Sequence, residues 1–491
     1  VKLKLKKLSF DAGRPVVFLH ADSAKRLNIH VGDRVGIRHK NRRLISIADI
    51  VKGFLRPGEV ALSKEILREI QLKEGLLVDV TSVPEPISTH LISKKMSGRE
   101  LSKAEIRQII KDIVNNELTE AEIAYFVLGV YEKGMTLKET IYLTEAIYKT
   151  GHVLFWSGKK TADKHSIGGI PGNRTTPIIV SICSAAGILM PKTSSRAITS
   201  ASGTADTLEC ITKVDLSFQD LKKVINKTGA CLAWGGSLGI APADDKLIRV
   251  ERILNLDPES QLIASILAKK LAAGSKYVLL DLPYGSGAKI PTKARAIRLK
   301  RKFLEVGRYF KLHIKVILSY VNQPIGNGIG PVLEMLDILK VLKRQNPPLD
   351  LESKSLILSG HILEMSGKAE KGKGYQLALE ILNSKKALHK FNEIINAQGR
   401  TGLPLKPAKR SFAIKSGSSG KIKSISNALI NHLARILGSP ADKGAGIYLH
   451  RHIGDKVKKA SPLVTLYSES KTRLKEALAF YKKSRPIHVG N

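Results

Sequence analysis

Acidic residues are scarce in this chain: its 491 residues carry 43 Asp and Glu against 81 Lys and Arg, a formal net charge of +38. Cysteine is scarcer still. Cys183, Cys210 and Cys231 have no metal-ligand spacing and cannot all pair, which argues against a disulfide scaffold and for buried thiols in a reducing compartment. Aromatic residues make up only 5%, so no platform of interleaved aromatic and basic side chains for single-stranded nucleic acid is evident. The longest apolar run, Ile178 to Met190, is interrupted by Ser181, Ser184 and Gly187 and is too short to span a bilayer. The amino terminus alternates lysine with valine and leucine, unlike a signal peptide. These absences predict a cytoplasmic protein with no membrane partner.

The basic excess has two readings. Clustered Lys and Arg would neutralise nucleic-acid phosphates, whereas a dispersed excess is a solvated surface that draws anionic small molecules. Here the basic residues run along the whole chain, with only short clusters such as Lys40 to Arg43 and Arg298 to Lys302. The second reading is favoured, and nucleic acid is not the expected partner.

A chain of this length exceeds one core and predicts several domains. Val1, Leu3 and Leu5 alternate with Lys2, Lys4 and Lys6, the period of a half-buried strand. Val35-Gly36-Ile37 and Leu44 to Ile47 flank a polar turn at Lys40-Asn41, and Gly58 to Leu62 and Leu76 to Val80 read as further strands around one short helix. A small β-barrel over 1–86 is expected, closed off by the stiff Pro84-Glu85-Pro86. Three successive capping boxes follow: Ser102 with Glu105, Thr119 with Glu122, and Thr136 with Glu139. Each opens an apolar helical pattern, with Gly134 and Gly151 as stops, so 87–160 is predicted to be a helical bundle. Part of 245–275 is expected to pack on it. From 161 to 404, strand, loop and helix alternate, with buried strands at Tyr277 to Asp281 and Ile314 to Leu318. That is the pattern of a mixed or parallel α/β domain with ligand loops at the strand ends. A strand-turn-strand pattern from Gly446 to Leu463 ahead of a closing helix predicts an α+β domain over 405–491. The fold class is therefore multidomain α/β.

Two segments are hard to explain by folding alone. Lys164-His165-Ser166-Ile167-Gly168-Gly169 and the run from Lys192 to Asp206 read as glycine- and hydroxyl-rich loops on either side of one apolar helix. Lysines, hydroxyls and close-approaching backbone N–H groups are the chemistry of a phosphate site. Ser194, Ser195, Thr199, Ser200 and Thr204 can donate to anionic oxygens. Arg196 can grip an anion bidentately or brace the loop, and both roles stay open. Glu209 is expected to anchor a helix.

Lys-His-Ser-x-Gly-Gly followed by Ser-x-Arg and Gly-Thr-x-Asp-x-x-Glu resembles the thymidine/pyrimidine-nucleoside phosphorylase family. The resemblance runs on through Ser265 to Gly274, Gly285-Ser286-Gly287-Ala288-Lys289 and Asn322 to Gly326, and covers nearly the whole chain. Within the family the chain is similar to the branch with an extra N-terminal domain, which includes AMP phosphorylases. In the second loop, Ser195, Thr199 and Ser200 stand where ordinary members have two glycines and a histidine. Ser202 replaces a further glycine, Ala201 stands for the family's threonine, and Val250 occupies the place of a pyrimidine-binding arginine. More donors there suit a substrate that carries its own phosphate.

The resemblance implies phosphate held by Lys164, Ser166, Ser194 and Thr204. It implies a nucleotide at Gly169, Ser195, Arg196, Ala197, Ile198, Thr199, Ser200, Thr204, Ser265 and Lys289, and Lys269 matches a base-contacting position. Asp257 matches the proton donor, although an Asp ahead of Pro258 is also an ordinary helix N-cap. As an acid it must be protonated near neutral pH, by burial or a nearby negative charge. The expected reaction is phosphorolysis of a nucleoside 5′-monophosphate to free base and ribose 1,5-bisphosphate, with thymidine phosphorolysis as the alternative. No metal or organic cofactor is implied, inorganic phosphate being a co-substrate. A homodimer or higher homo-oligomer is implied, as is domain closure. The related anthranilate phosphoribosyltransferases use a Gly-Thr-Gly-Gly-Asp loop that this chain lacks.

Overall fold

The computed structural model describes all residues except 8–11, 13, 14, 41, 71, 198, 199, 403 and 491. The chain divides into two compact units, one of residues 1–150 with 241–265, the other of 151–240 with 266–491.

In the first unit, six strands close into a barrel: β1 (Lys2–Lys7), β2 (Val16–His20), β3 (Arg34–His39), β4 (Arg42–Val51), β5 (Glu59–Leu62) and β6 (Leu77–Ser82), in the order β1-β5-β2-β4-β3-β6. The alternation of β1 buries Leu3 and Leu5 among Val17, Val35, Val60 and Val78 and leaves Lys2 and Lys4 exposed. The predicted hairpin is the antiparallel pair β3–β4, with Lys40 at φ +52° and Asn41 outside the described residues. Sequence patterning misses β2, a parallel partner of β4, because its run of buried side chains shows no alternation.

The bundle follows as helices Ser88–Met96, Lys103–Val114, Glu120–Lys133 and Leu137–Tyr148. All three capping boxes form with both of their hydrogen bonds. Glu139 has a second role: buried, it accepts from Lys95 Nζ at 2.8 Å and from the Leu101 amide at 3.0 Å. Arg34 of the barrel pairs with Glu122 and donates to the Glu117 carbonyl at 2.7 Å. Helix Pro242–Leu254 packs on the bundle, burying Leu247 and Val250. The last of the four helices ends at Tyr148, ahead of Gly151.

The second unit holds strands β7 (Ala162–Ser166), β8 (Met190–Ser194), β9 (Ala230–Trp234), β10 (Tyr277–Tyr284) and β11 (His313–Tyr320). β11, β10 and β7 form one parallel sheet, and β8 and β9 a parallel pair. A parallel bridge between Thr161 and Leu189 joins the two. The apolar run becomes helix Thr175–Ala185, buried along its length between these strands and helices Leu349–Met365 and Lys386–Gln398. The segment predicted to be α+β contains helix Asn427–Leu437, antiparallel strands Gly446–Leu449 and Pro462–Ser468, and the closing helix Lys471–Ser484. All three cysteines are buried and unpaired. Among the described residues no helix is long and apolar enough to cross a membrane.

Candidate active site

The first motif is less of a loop than its composition predicts. Lys164, His165 and Ser166 are the last residues of β7, and only from Ile167 does the chain leave the sheet. Likewise Lys192, Thr193 and Ser194 belong to β8. A central parallel strand is covered on both faces, so its polar side chains need partners inside the protein. Lys164, 1% exposed, donates to Thr175 Oγ1 at 2.9 Å. Burial pushes its ammonium down to about 7. Asp281 works against that, while Lys354, Lys192 and Arg174 add to it. Asp163, equally buried, takes Lys192 at 3.1 Å and Lys270 at 2.7 Å. Lys270 too is pushed down to about 7 by burial, in spite of Asp163. Burial and the surrounding lysines hold His165 well below the ordinary histidine range, so it is a neutral imidazole.

Asp281 of β10 lies beside Ser166 in the strand register. Its buried carboxylate accepts from Ser166 Oγ at 2.9 Å and Ser319 Oγ at 2.8 Å, and pairs with Lys354 at 2.9 Å. Burial alone would raise its pKa, but Lys354 and Lys164 hold it below the usual carboxylate value. The one proton of Ser166 thus faces Asp281, and Asn173 Nδ2 donates to the same hydroxyl at 3.4 Å.

At the end of β8, Ser194 Oγ donates to the Ala233 carbonyl at 3.2 Å. The loop beyond it folds around Asp206, whose Oδ2 accepts from the amides of Ala197 (2.7 Å) and Gly203 (2.8 Å). A side chain at Gly203 would put its Cβ 2.5 Å from the Arg196 carbonyl carbon, so only glycine fits that fold. Arg196 grips Glu209 with both terminal nitrogens, at 2.8 and 2.7 Å, reaches Asp215 at 3.3 Å, and lies 4.9 Å from the Trp234 ring centre. Those are the contacts of a brace. The Glu209 hydrogen bond in particular pushes the guanidinium pKa up, and that of Glu209 falls to about 2. Ser200 Oγ donates to the Ser202 carbonyl at 2.8 Å, and Ser195 lends its carbonyl to the Ala205 amide. Thr204 is the first residue of helix Thr204–Leu208. Ile198 and Thr199 lie outside the described residues. Arg174 braces the far side, donating to Glu334 at 2.6 Å and to the Ser202 carbonyl, while Thr207 donates to the same Glu334 oxygen at 2.8 Å.

A third loop, 285–289, leaves β10 and ends at the exposed Lys289. It meets the first at Gly169, whose φ is +108° and whose added Cβ would lie 3.2 Å from the Lys289 amide. Helix Asn427–Leu437 touches all three loops. Asn427 Nδ2 donates to the Ser286 carbonyl (3.1 Å), Asn431 Nδ2 to the Gly169 carbonyl (2.9 Å), and the Ala201 amide donates to Asn431 Oδ1 (3.0 Å).

The second unit therefore assembles Lys164, Ser166, Gly169, Ser194 to Ala197, Ser200, Thr204 and Lys289 at the carboxyl ends of β7, β8 and β10. Lys269 falls within it as well, on helix Glu259–Ala272. Asp257 and Ser265 belong to the first unit: Asp257 is half-buried ahead of Pro258, and Ser265 is half-buried one turn before Lys269 on the same helix face. Asp163, Asp281, Arg174, Glu334, Asn427 and Asn431 escaped sequence reasoning. Their partners lie far along the chain, so no local pattern marks them. Among the described residues no group of His, Cys, Asp and Glu is arranged to hold a metal ion.

Comparison with known proteins yields matches along the chain. Residues 89–151 match the glycosyl transferase family helical bundle domain, 158–295 the family's a/b domain, and 421–488 the pyrimidine nucleoside phosphorylase C-terminal domain. A protein of Pyrococcus horikoshii named AMP phosphorylase is 45% identical over 100% of this chain and 98% of its own. One of the same name from Pyrococcus abyssi is 46% identical over the same shares. AMP phosphorylase 1 of Archaeoglobus fulgidus is 40% identical over 99% and 97%. Among solved structures, anthranilate phosphoribosyltransferase from Thermus thermophilus matches 62% of this chain and 98% of its own with a TM-score of 0.51 at 15% identity, a likeness of fold.

Proposed function

This chain belongs to the AMP phosphorylase family, and from that we infer that it cleaves the N-glycosidic bond of AMP with inorganic phosphate, giving adenine and ribose 1,5-bisphosphate. The observation that carries the inference is the likeness to AMP phosphorylases over the full length of the chain.

We propose that Lys164, Ser166, Ser194 and Thr204 hold the attacking phosphate, the two serine hydroxyls turning from Asp281 and the Ala233 carbonyl to donate to it. The loop from Ser195 to Ser200, with Gly169, Thr204, Ser265, Lys269 and Lys289, binds the nucleotide. Arg196 serves by keeping that loop in shape. A phosphate oxygen forms the new bond to C1′ as the bond to the base nitrogen breaks. The sugar gains oxocarbenium character that the anionic nucleophile stabilises. The electron pair leaves with the base, and Asp257 delivers the proton to it. Inorganic phosphate is a co-substrate and no further cofactor is assigned. Neutral His165 fits a role in packing rather than in carrying positive charge. The form we propose for the working enzyme is a cytoplasmic homodimer or higher homo-oligomer.

Incubation with phosphate and, separately, AMP, CMP, UMP, thymidine and uridine tests this. Free adenine from AMP that depends on phosphate is the expected result. Base release from thymidine but not from AMP would overturn the substrate assignment in favour of the thymidine alternative.

A further inference from the structure

One helix face touches every loop of the candidate site. Asn427 and Asn431 are one helical turn apart, so their side chains emerge on the same side of helix Asn427–Leu437. They are 2% and 7% exposed, and the Ala201 contact is buried while those to Gly169 and Ser286 are partly buried. Asn431 uses both ends of its amide: Nδ2 to the Gly169 carbonyl of the loop after β7, and Oδ1 from the Ala201 amide of the loop after β8. Asn427 adds the Ser286 carbonyl of the loop after β10. The fit at Asn427 is close, since a Cβ on Gly287 would stand 2.7 Å from its own Cβ. A buried amide that satisfies one acceptor and one donor on two separate loops fixes their spacing, because moving either loop orphans a polar group at a cost of about 1–3 kcal/mol.

We infer that Asn431, seconded by Asn427, is a positioning residue for phosphorolysis. It holds the loop after β7, with Ser166 and Gly169, and the loop after β8, with Ser194 to Ser200, at the separation an in-line attack requires. The inference rests on the function proposed above. A nucleophile and an electrophilic carbon bound between two loops react only if those loops keep register to within a fraction of an ångström. Neither asparagine touches substrate in this scheme. Both act through the backbone they hold.

The test uses three variants of the full chain. Asn431→Leu removes both contacts, Asn431→Asp keeps the acceptor for Ala201 and loses the donor to Gly169, and Asn427→Ala frees Ser286. Amide hydrogen exchange is read over 166–169, 195–203 and 285–289, alongside kcat and the KM for AMP and for phosphate. Asn431→Leu is expected to speed exchange in the first two segments and lower kcat by about 100-fold, the scale of a small misplacement of reacting groups. Asn431→Asp is expected to loosen only 166–169, raising the KM for phosphate through Ser166 and that for AMP through Gly169, each severalfold. Asn427→Ala is expected to loosen 285–289.

Unchanged exchange in all three segments would overturn the clamp. Faster exchange with kcat and both KM within about twofold of wild type would overturn its link to catalysis. Should Asn431→Leu not fold, the Asn431→Asp and Asn427→Ala comparisons carry the same decision. Wild-type protein that releases no adenine from AMP would instead defeat the functional reading, and the exchange data would still decide the clamp.

Discussion

With Lys164 as the proposed phosphate ligand, the protein's affinity for an oxyanion is expected to depend on pH above neutrality. Its Nζ is buried against the Thr175 hydroxyl, and burial among Lys354, Lys192 and Arg174 brings its pKa to about 7. Only the ammonium form attracts an anion, so the apparent dissociation constant is the intrinsic one divided by the protonated fraction. With a pKa of about 7 that fraction is near one-tenth at about pH 8 and one-hundredth at about pH 9. Affinity should then weaken about tenfold between pH 6 and 8 and about tenfold again by pH 9. Phosphate changes its own protonation in this range, so sulfate, whose charge is constant there, is the proper probe, with titration calorimetry as the assay. Lys164→Arg keeps the charge at every accessible pH and should flatten the profile. Sulfate affinity that is constant across this range in the wild type, or the same slope in Lys164→Arg, would refute the reasoning. In the second case the titration would belong to Lys270, which is also brought to about 7.

The same shift has a stability counterpart. The folded pKa of Lys164 lies below the ordinary 10.5, so between about 7 and 10.5 the unfolded chain holds a proton that the folded chain has released. Stability therefore rises with pH in that window, by about 1.4 kcal/mol per pH unit for this lysine, and its full penalty is felt below pH 7. Saturating sulfate returns the proton to the folded state and should flatten that slope in urea unfolding.

Asp257→Asn removes the transferable proton with little change of shape. Turnover of AMP should fall by about 100-fold or more with nucleotide affinity little altered, and near-normal turnover would take Asp257 out of the acid role. Arg196→Lys loses the paired contact with Glu209 and should cost about 1 kcal/mol in urea unfolding, the pair being partly exposed. The KM for AMP should rise severalfold with kcat nearly kept. Unaltered stability with AMP binding abolished would mean that the guanidinium grips substrate instead of bracing the loop.

The features legible in the sequence are those whose physics is local. Ser102, Thr119 and Thr136 sit three residues from the glutamates that answer them, and each box forms as written. The lysine-leucine alternation of β1 states which face is buried, and β10 and β11 stand out as apolar runs. β7 could not be read as a strand, because Ala-Asp-Lys-His-Ser has no apolar period. Its polar side chains are answered by Lys270, 107 residues on, and by Asp281, 115 residues from Ser166. The Asn431 contact with Gly169 spans 262 residues. Patterning reports what a residue does for its own element, and these residues serve someone else's.

Long-range pairing also explains how lysines are accommodated inside the protein at these strands. Around β7, β8 and β10 the protein pairs Lys192 and Lys270 with one carboxylate, Asp163, Arg174 with Glu334 and Lys354 with Asp281, and sets Lys164 against the Thr175 hydroxyl. Most of these groups are buried, where a charge without a counter-charge is costly. A fold selected for stability alone would match cations to carboxylates, or replace the surplus lysines by apolar side chains of similar volume. Burial is the larger cause of the low pKa values of Lys164 and Lys270, and the neighbouring cations add to it. An anion bound at the strand ends would offset the surplus of cations, which ties affinity to the same interior charges that limit stability. On the proposed reaction two anionic groups must be held at once, the attacking phosphate and the 5′-phosphate of AMP. Interior cations suit that demand better than a surface coat of lysine would, because burial protects the attraction from salt. On the function proposed above, the dispersed +38 would serve long-range attraction, while discrimination would rest with the interior cations and the loops that the asparagine helix holds in register.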